Sequence, residues 1–243
     1  MSIDSEGVRN SLGRNLTYGM LDSLGKAIVT GGYDNKPFPT EAELSKQHGV
    51  SRSVTREAVK MLTAKGLLSA RPRQGTIIEP PSAWNLFDAD VLRWQLDRKF
   101  SIELLRNFSE LRSAIEPAAA ALAATAADDA GRALIRAGFE RMKAAEAGDD
   151  DTLEADIAFH LAILRASANP FFGQFRDVVA TALRTSIRFT NRIKGRTADL
   201  AAHRAVLVAI EARKPDAARK AMSKIIDEVM TVINTPSNPT TIS

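Results

Sequence analysis

The chain has 243 residues, 44% of them apolar, a formal net charge of +4 and no cysteine. The apolar share is ample for one large core or two smaller ones and excludes a disordered chain. The lack of cysteine excludes a disulfide scaffold, a thiolate zinc site, a cysteine-held iron–sulfur cluster and a cysteine nucleophile.

The opening MSIDSEGVRNSLGRN has no apolar stretch of signal-peptide length, and no run of about 18 apolar residues follows, so a cytoplasmic chain with no membrane partner is expected. Charge is unevenly placed. Residues 51–78 carry Arg52, Arg56, Lys60, Lys65, Arg71 and Arg73 against the single acid Glu57, whereas residues 81–170 carry fifteen acids against ten bases. A basic segment on an acidic-leaning body suits a module that meets a polyanion, and an ordinary solvated face is the plain alternative.

In chain order, Leu16, Met20, Leu21, Leu24 and Ile28 recur at helical spacing, and Gly31-Gly32 supplies a stop. In FPTEAELSKQHGV, Thr40 and Glu43 form a capping box for a short helix that turns Leu44 inward and ends at Gly49. Ser51 caps a third helix whose buried stripe is Val54, Ala58, Met61 and Leu62, with Arg52, Arg56 and Lys60 on another face and Gly66 at its end. LLSA and TIIE then flank RPRQG as a basic hairpin with a glycine at its tip.

These elements in this order describe a winged helix-turn-helix, whose second helix enters the major groove of DNA. Arg52 and Arg56 are the candidates for base contact, since a guanidinium fork matches the O6/N7 edge of guanine. Thr55, Lys60, Arg71, Arg73, Gln74 and Gly75 are assigned to backbone or minor-groove contact. Lys60 is equally compatible with a solvated face, and Thr40 with capping alone.

Pro80-Pro81 break the pattern, which places a domain boundary near residues 79–84. The expected division is a DNA-binding domain over 1–79, a linker and connecting helix over 80–100, a helical domain over 101–233 and a flexible tail over 234–243. Helices are expected at 88–98, 101–126, 129–147, 150–168, 170–194, 197–212 and 215–233, and the short loops predict antiparallel packing. The fold class is therefore mostly α: an N-terminal winged helix-turn-helix and a C-terminal all-helical antiparallel bundle. No glycine-rich phosphate loop with the required spacing occurs.

Asp156 and His160 are four residues apart and share one helix face with Ile157, Leu161 and Leu164 beside it. His203, among Ala202, Val206 and Ile210, also points to the interior or its edge. Two readings remain open from spacing. Asp156 orients a core imidazole, or Asp156, His160 and His203 supply ligands to a divalent transition ion. Arg112 and Glu116, again four apart, form an ion pair or meet an anionic ligand, and Arg184, Arg188 and Asn191 make a second polar strip.

The chain resembles the GntR family of bacterial transcription regulators, in the FadR-like branch with an all-helical C-terminal FCD ligand-binding domain. The residues that carry the resemblance are FPTEAELSKQHGVSRSVTREAVKMLTAKGLL with RPRQGTII, then ELRSAIEPAAAALAA, DIAFHLAILRASANP and HRAVLVAIEARKPDAARKAM. The stretch WNLFDADVLRWQL is similar to the galactonate-operon repressors of this branch. The resemblance implies a divalent metal at Asp156, His160 and His203, with zinc expected and nickel or manganese as alternatives. The family's usual fourth ligand, a histidine three residues after the methionine of the last helix, is here Ile225.

The resemblance further implies a homodimer on double-stranded operator DNA, released by a sugar acid or related small carboxylate. Arg112 is its expected carboxylate partner, with Glu116, Arg188 and Asn191 as further candidate effector contacts. Such a protein is a regulator and not an enzyme. The alternatives are a metal-dependent hydrolase or lyase fused to a DNA-binding module, for which Glu116 is the one nearby base, and a purely dimerising helical body without ligand.

Overall fold

In the computed structural model, residues 5–34, 36–98, 101–194 and 199–234 are described, with side-chain surroundings given over 15–34, 36–98, 101–186 and 199–234. The chain divides into two compact units, Met1–Phe100 and Ser101–Ser243. Among the described residues no helix is long and apolar enough to cross a membrane.

The first unit begins with α1 (Ser5–Val29), which starts earlier than the apolar spacing indicated and leaves Leu16 about half exposed. Gly31, at φ 84°, ends this stretch in the left-handed region. α2 (Glu41–His48) has the expected capping box: the Glu43 amide donates to Thr40 Oγ1 and the Thr40 amide donates to Glu43 Oε2. α3 (Arg52–Ala64) is capped by Ser51, whose Oγ accepts from the Val54 amide. A hairpin follows, β1 (Leu68–Arg71) antiparallel to β2 (Gly75–Ile78), with Leu68 opposite Ile78 and Arg71 opposite Gly75.

Residues 80–100, expected to link two domains, lie within this first unit. After a 3-10 turn over Pro81–Ala83, α4 (Ala89–Leu96) buries Val91 and Trp94 in the same core as Leu21, Leu24, Leu44, Ala58, Leu62 and Leu68. The physical reason is a lock that pattern reading does not show. Trp94 lies where a Cβ on Gly25 would come within 2.2 Å of its ring, and its Nε1 donates to Asp22 Oδ1 at 2.8 Å. Lys65 Nζ binds Asp88 and Asp90, both at 2.8 Å, which ties the end of α3 to the start of α4.

The second unit comprises α5 (Ile102–Ala126), α6 (Asp129–Ala147), α7 (Thr152–Ala166), α8 (Pro170–Gln174), α9 (Arg176–Lys194), α10 (Leu200–Glu211) and α11 (Pro215–Asn234). The single helix expected over 170–194 is thus two. Asn169 caps Pro170 as expected, but Gly173 weakens the first turns and the helix restarts at Arg176. α5 packs on α11, α7 and α9, α6 on α7 and α10, and α10 on α11. Their shared core contains Ala119, Ala120, Ala123, Phe159, Ile163, Val206, Ile210, Met222 and Ile226. Burying Phe159 completely stabilises by about 1.5–3 kcal/mol, so the helices meet around it.

A candidate DNA-reading face and a candidate metal centre

On the first unit, Arg52, Arg56 and Lys60 are exposed along α3, and Arg71, Arg73, Gln74 and Gly75 are exposed at the hairpin tip. Lys60 stands 3.9 Å from Glu57 at the surface, a separation that contributes little. At the tip, Arg73 holds φ 65° and Gly75 φ 77°, and the Gln74 amide donates to the Arg71 carbonyl at 3.1 Å. Arg73 stands in the turn itself, whereas Arg71 closes β1 and its guanidinium lies 3.8 Å from Glu79 at the far end of the hairpin.

Two readings of this face need correction. Thr55 is fully buried and its Oγ1 donates to the Ser51 carbonyl at 3.2 Å, so it cannot reach a phosphate. The third helix buries Ala58 and Leu62 as expected and adds Thr55 and Val59, while Val54 and Met61 pack partly buried at the edge of the same core. Lys65, counted in the basic segment, is spent on Asp88 and Asp90.

In the second unit, Asp156 and His160 come from α7 and His203 from α10, and all three are buried. His203 Nε2 lies 3.1 Å from Asp156 Oδ1 and 3.4 Å from His160 Nε2, while His160 Nε2 lies 3.7 Å from Asp156 Oδ1. Two donors each about 2.0–2.1 Å from one ion in a tetrahedron stand roughly 3.3–3.4 Å apart, so these separations fit a shared cation. Phe159 packs edge-on to both imidazoles and closes one side of the cluster.

The hydrogen bonds outside the cluster decide what its atoms can do. His160 Nδ1 faces Glu116 Oε2, and His203 Nδ1 faces the Asp199 carbonyl at 2.7 Å. A carboxylate and a carbonyl only accept, so each Nδ1 must carry the proton and each neutral ring presents an unprotonated Nε2. Asp156 Oδ1 makes no hydrogen bond of acceptable distance and angle although it is buried. Three lone-pair atoms thus converge, an arrangement that a cation satisfies.

Charge around the centre agrees. Burial alone raises the Asp156 carboxyl, but His203, His160 and Arg112 outweigh it and hold its pKa below the ordinary value. Glu116 likewise is raised by burial but brought down to about 2 by Arg112 and His160. Burial lowers His203, yet the Asp156 carboxylate and the Asp199 carbonyl leave its pKa above the usual histidine range. A proton on His203 Nε2 is therefore the natural substitute for a metal ion.

Of the four expected effector contacts, Arg112 and Glu116 are buried on α5 as an ion pair, Arg112 Nε donating to Glu116 Oε1 and Nη2 to Oε2. Both oxygens of Glu116 meet groups of the chain, Oε1 on Arg112 and Oε2 shared by Arg112 and His160. Arg188 and Asn191 lie on α9 with side chains outside the described residues. Arg184, on the same strip, donates to Glu154 of α7 at 3.1 Å. Ile225 is buried in the hydrophobic core and offers no ligand atom.

Sequence reasoning missed Asp199 and Gly138. Asp199-Leu-Ala-Ala-His203 repeats the spacing of Asp156-Ile-Ala-Phe-His160, which was a usable signal; here the aspartate caps α10 through its side chain and offers its carbonyl to the ring. Gly138 gave none, because its role is to let α6 approach the backbone of Phe159.

The family model for the FCD domain matches residues 107–228, and that described as bacterial regulatory proteins, gntR family, matches residues 22–78. The chain is 34% identical over 216 residues to the HTH-type transcriptional regulator YieP of Escherichia coli (strain K12), covering 88% of this chain and 93% of that protein. It is 33% identical over 217 residues to the galactonate operon transcriptional repressor of the same organism, covering 87% and 94%. Among solved structures, E. coli McbR/YncC shares the fold with a TM-score of 0.51 at 19% identity, over 90% of this chain and 96% of that one.

Proposed function

The chain belongs to the GntR family of bacterial regulatory proteins, in the group that carries an FCD domain, and is a transcriptional regulator; from that premise we propose that it is an operon repressor released by a sugar acid or related small carboxylate bound at a divalent metal. Asp156, His160 and His203 would hold the ion, with zinc the first expectation and nickel or manganese as alternatives. The observation that carries this reading is the convergence of two Nε2 atoms and one carboxylate oxygen, with both Nδ1 protons pinned elsewhere. When bound, the ion would supply a positive charge that a chelating hydroxy-carboxylate can meet.

The remaining work falls to the protein. Arg112 and Glu116 fix the centre from α5, while Phe159 keeps water from one side of the imidazoles. On the first unit, Arg52 and Arg56 of α3 are suited to base edges, and Arg71 and Arg73 of the wing to the backbone and minor groove. A homodimer would present one such face to each half of a pseudo-palindromic operator. The sugar-acid assignment draws on the similarity to the galactonate operon repressor. Effector binding must favour the DNA-free geometry over the bound one, or it would shift nothing.

The hydrolase or lyase alternative is left without its candidate base, because both oxygens of Glu116 are engaged. An operator-binding assay run against a panel of aldonic and uronic acids, with and without chelator, tests the proposal. Release by one of these acids, abolished by the chelator, is the expected result. Release that ignores the chelator would remove the metal from the account, and no release by any acid would remove the effector class.

A further inference from the structure

Resting on the reading of Asp156, His160 and His203 as a metal centre, we propose that Glu116 is a positioning residue that locks His160 in the tautomer able to bind metal, and that Arg112 acts on the centre through it. An imidazole can offer Nε2 to an ion only while its proton sits on Nδ1. The two rings of this centre are fixed in that state by different means.

His203 is locked by its own helix. Its Nδ1–H donates to the Asp199 carbonyl at 2.7 Å, the same oxygen that accepts the His203 backbone amide at 3.2 Å. Wherever α10 begins at Asp199, that lock is made. His160 has no such local partner. Its Nδ1 is met by Glu116 Oε2 from α5, 44 residues away in sequence. Glu116 is in turn held by Arg112 one helical turn earlier, through Nε and Nη2. All three side chains are almost completely buried, which shields these bonds from bulk solvent.

The consequence is an asymmetry. One imidazole is prepared by local backbone, the other only by the docking of α5 on α7. Loss of response in an Arg112 variant would then not prove that Arg112 touches the effector, since the same substitution frees Glu116 and loosens His160. Outer-sphere partners of metal-binding histidines typically contribute 10–100-fold to metal affinity, and that is the scale expected here.

The test uses the full chain and zinc alone, at mildly alkaline pH. The ring-nitrogen NMR shifts of His160 are recorded without metal, and zinc affinity is measured by competition with a chromophoric chelator. Wild type should show His160 protonated at Nδ1. Glu116→Gln should give a mixture of tautomers and bind zinc about 10–100-fold more weakly. Because Glu116→Gln leaves Arg112 buried without a counter-charge, the double variant Glu116→Gln/Arg112→Met removes both charges and should show the same two changes while retaining a cooperative melt. A folded double variant with wild-type ring shifts and wild-type zinc affinity would overturn the lock. If wild-type protein takes up none of zinc, nickel or manganese, the metal-centre reading fails instead, and the ring shifts still decide whether Glu116 sets the tautomer.

Discussion

Arg73 occupies a backbone conformation that glycine would hold more easily: φ is 65° at an exposed turn position. A side chain in the left-handed region costs about 1 kcal/mol, so a charged residue there points to a role for its guanidinium. Arg73→Gly should therefore stabilise the first unit by about 0.5–1 kcal/mol in denaturant titrations. The same change should weaken operator binding and lower the slope of log affinity against log salt by about one contact. A variant with unaltered DNA affinity and salt slope would take the wing out of the interface. At this scale the sequence was legible where a feature depends on residue type and local position: the exposure of the arginines of α3 and the wing, the Thr40 box and the shared buried face of Asp156 and His160. Thr55 was misread because the buried face of α3 extends to it and to Val59 beyond the expected stripe, and periodicity does not fix the width or rotation of a face that finely.

Between elements, the contact that positions the candidate centre is backbone on backbone. A Cβ on Gly138 would lie 2.8 Å from Phe159 Cα and 3.0 Å from its amide nitrogen, so α6 rests directly on the turn of α7 that carries His160. Neither partner is a flexible side chain that could swing away. Gly138→Ala should push the helices apart and destabilise the second unit by about 1–3 kcal/mol, an overpacking cost that exceeds any gain in helix propensity. It should also weaken zinc uptake, since His160 follows Phe159 in the chain. Chemical denaturation and zinc titration check both outcomes, and unchanged values in both would show that α7 tolerates displacement. Helix existence and approximate bounds were read correctly over most of the second half, because apolar spacing and caps are local. The break at Phe175 and the docking of α4 on α1 were not, since a glycine's weakening effect and a tryptophan seated over Gly25 are settled by packing.

Across the molecule, two units with separate cores carry separate tasks, and the candidate ligands all belong to the second. Zinc should raise the thermal transition of that unit and leave the first unit's unchanged. The shift has a pH sign. Without metal, the raised pKa of His203 means that protonation stabilises the folded state fully below the ordinary histidine value of about 6.5, and that this contribution is lost as pH rises through the folded value. Metal replaces that proton, so the stabilisation by zinc should be small in mild acid and grow as pH rises through the same window. Differential scanning calorimetry with and without zinc across this range is the check. A zinc shift that is flat in pH would mean that His203 is not a ligand.

What the sequence determined by itself was the order of elements, the basic segment of the first unit, the helical body and which three side chains are candidates for metal ligation. Those depend on residue type and on short-range spacing. Only the tertiary structure decided that the two imidazoles meet at 3.4 Å, that Glu116 reaches across from α5 to one of them, and that Trp84, Val91 and Trp94 join the first core. Such facts concern residues tens of positions apart. Their approach is set by how whole helix faces pack, where a missing Cβ or a wider buried face changes the outcome, and no local pattern records it.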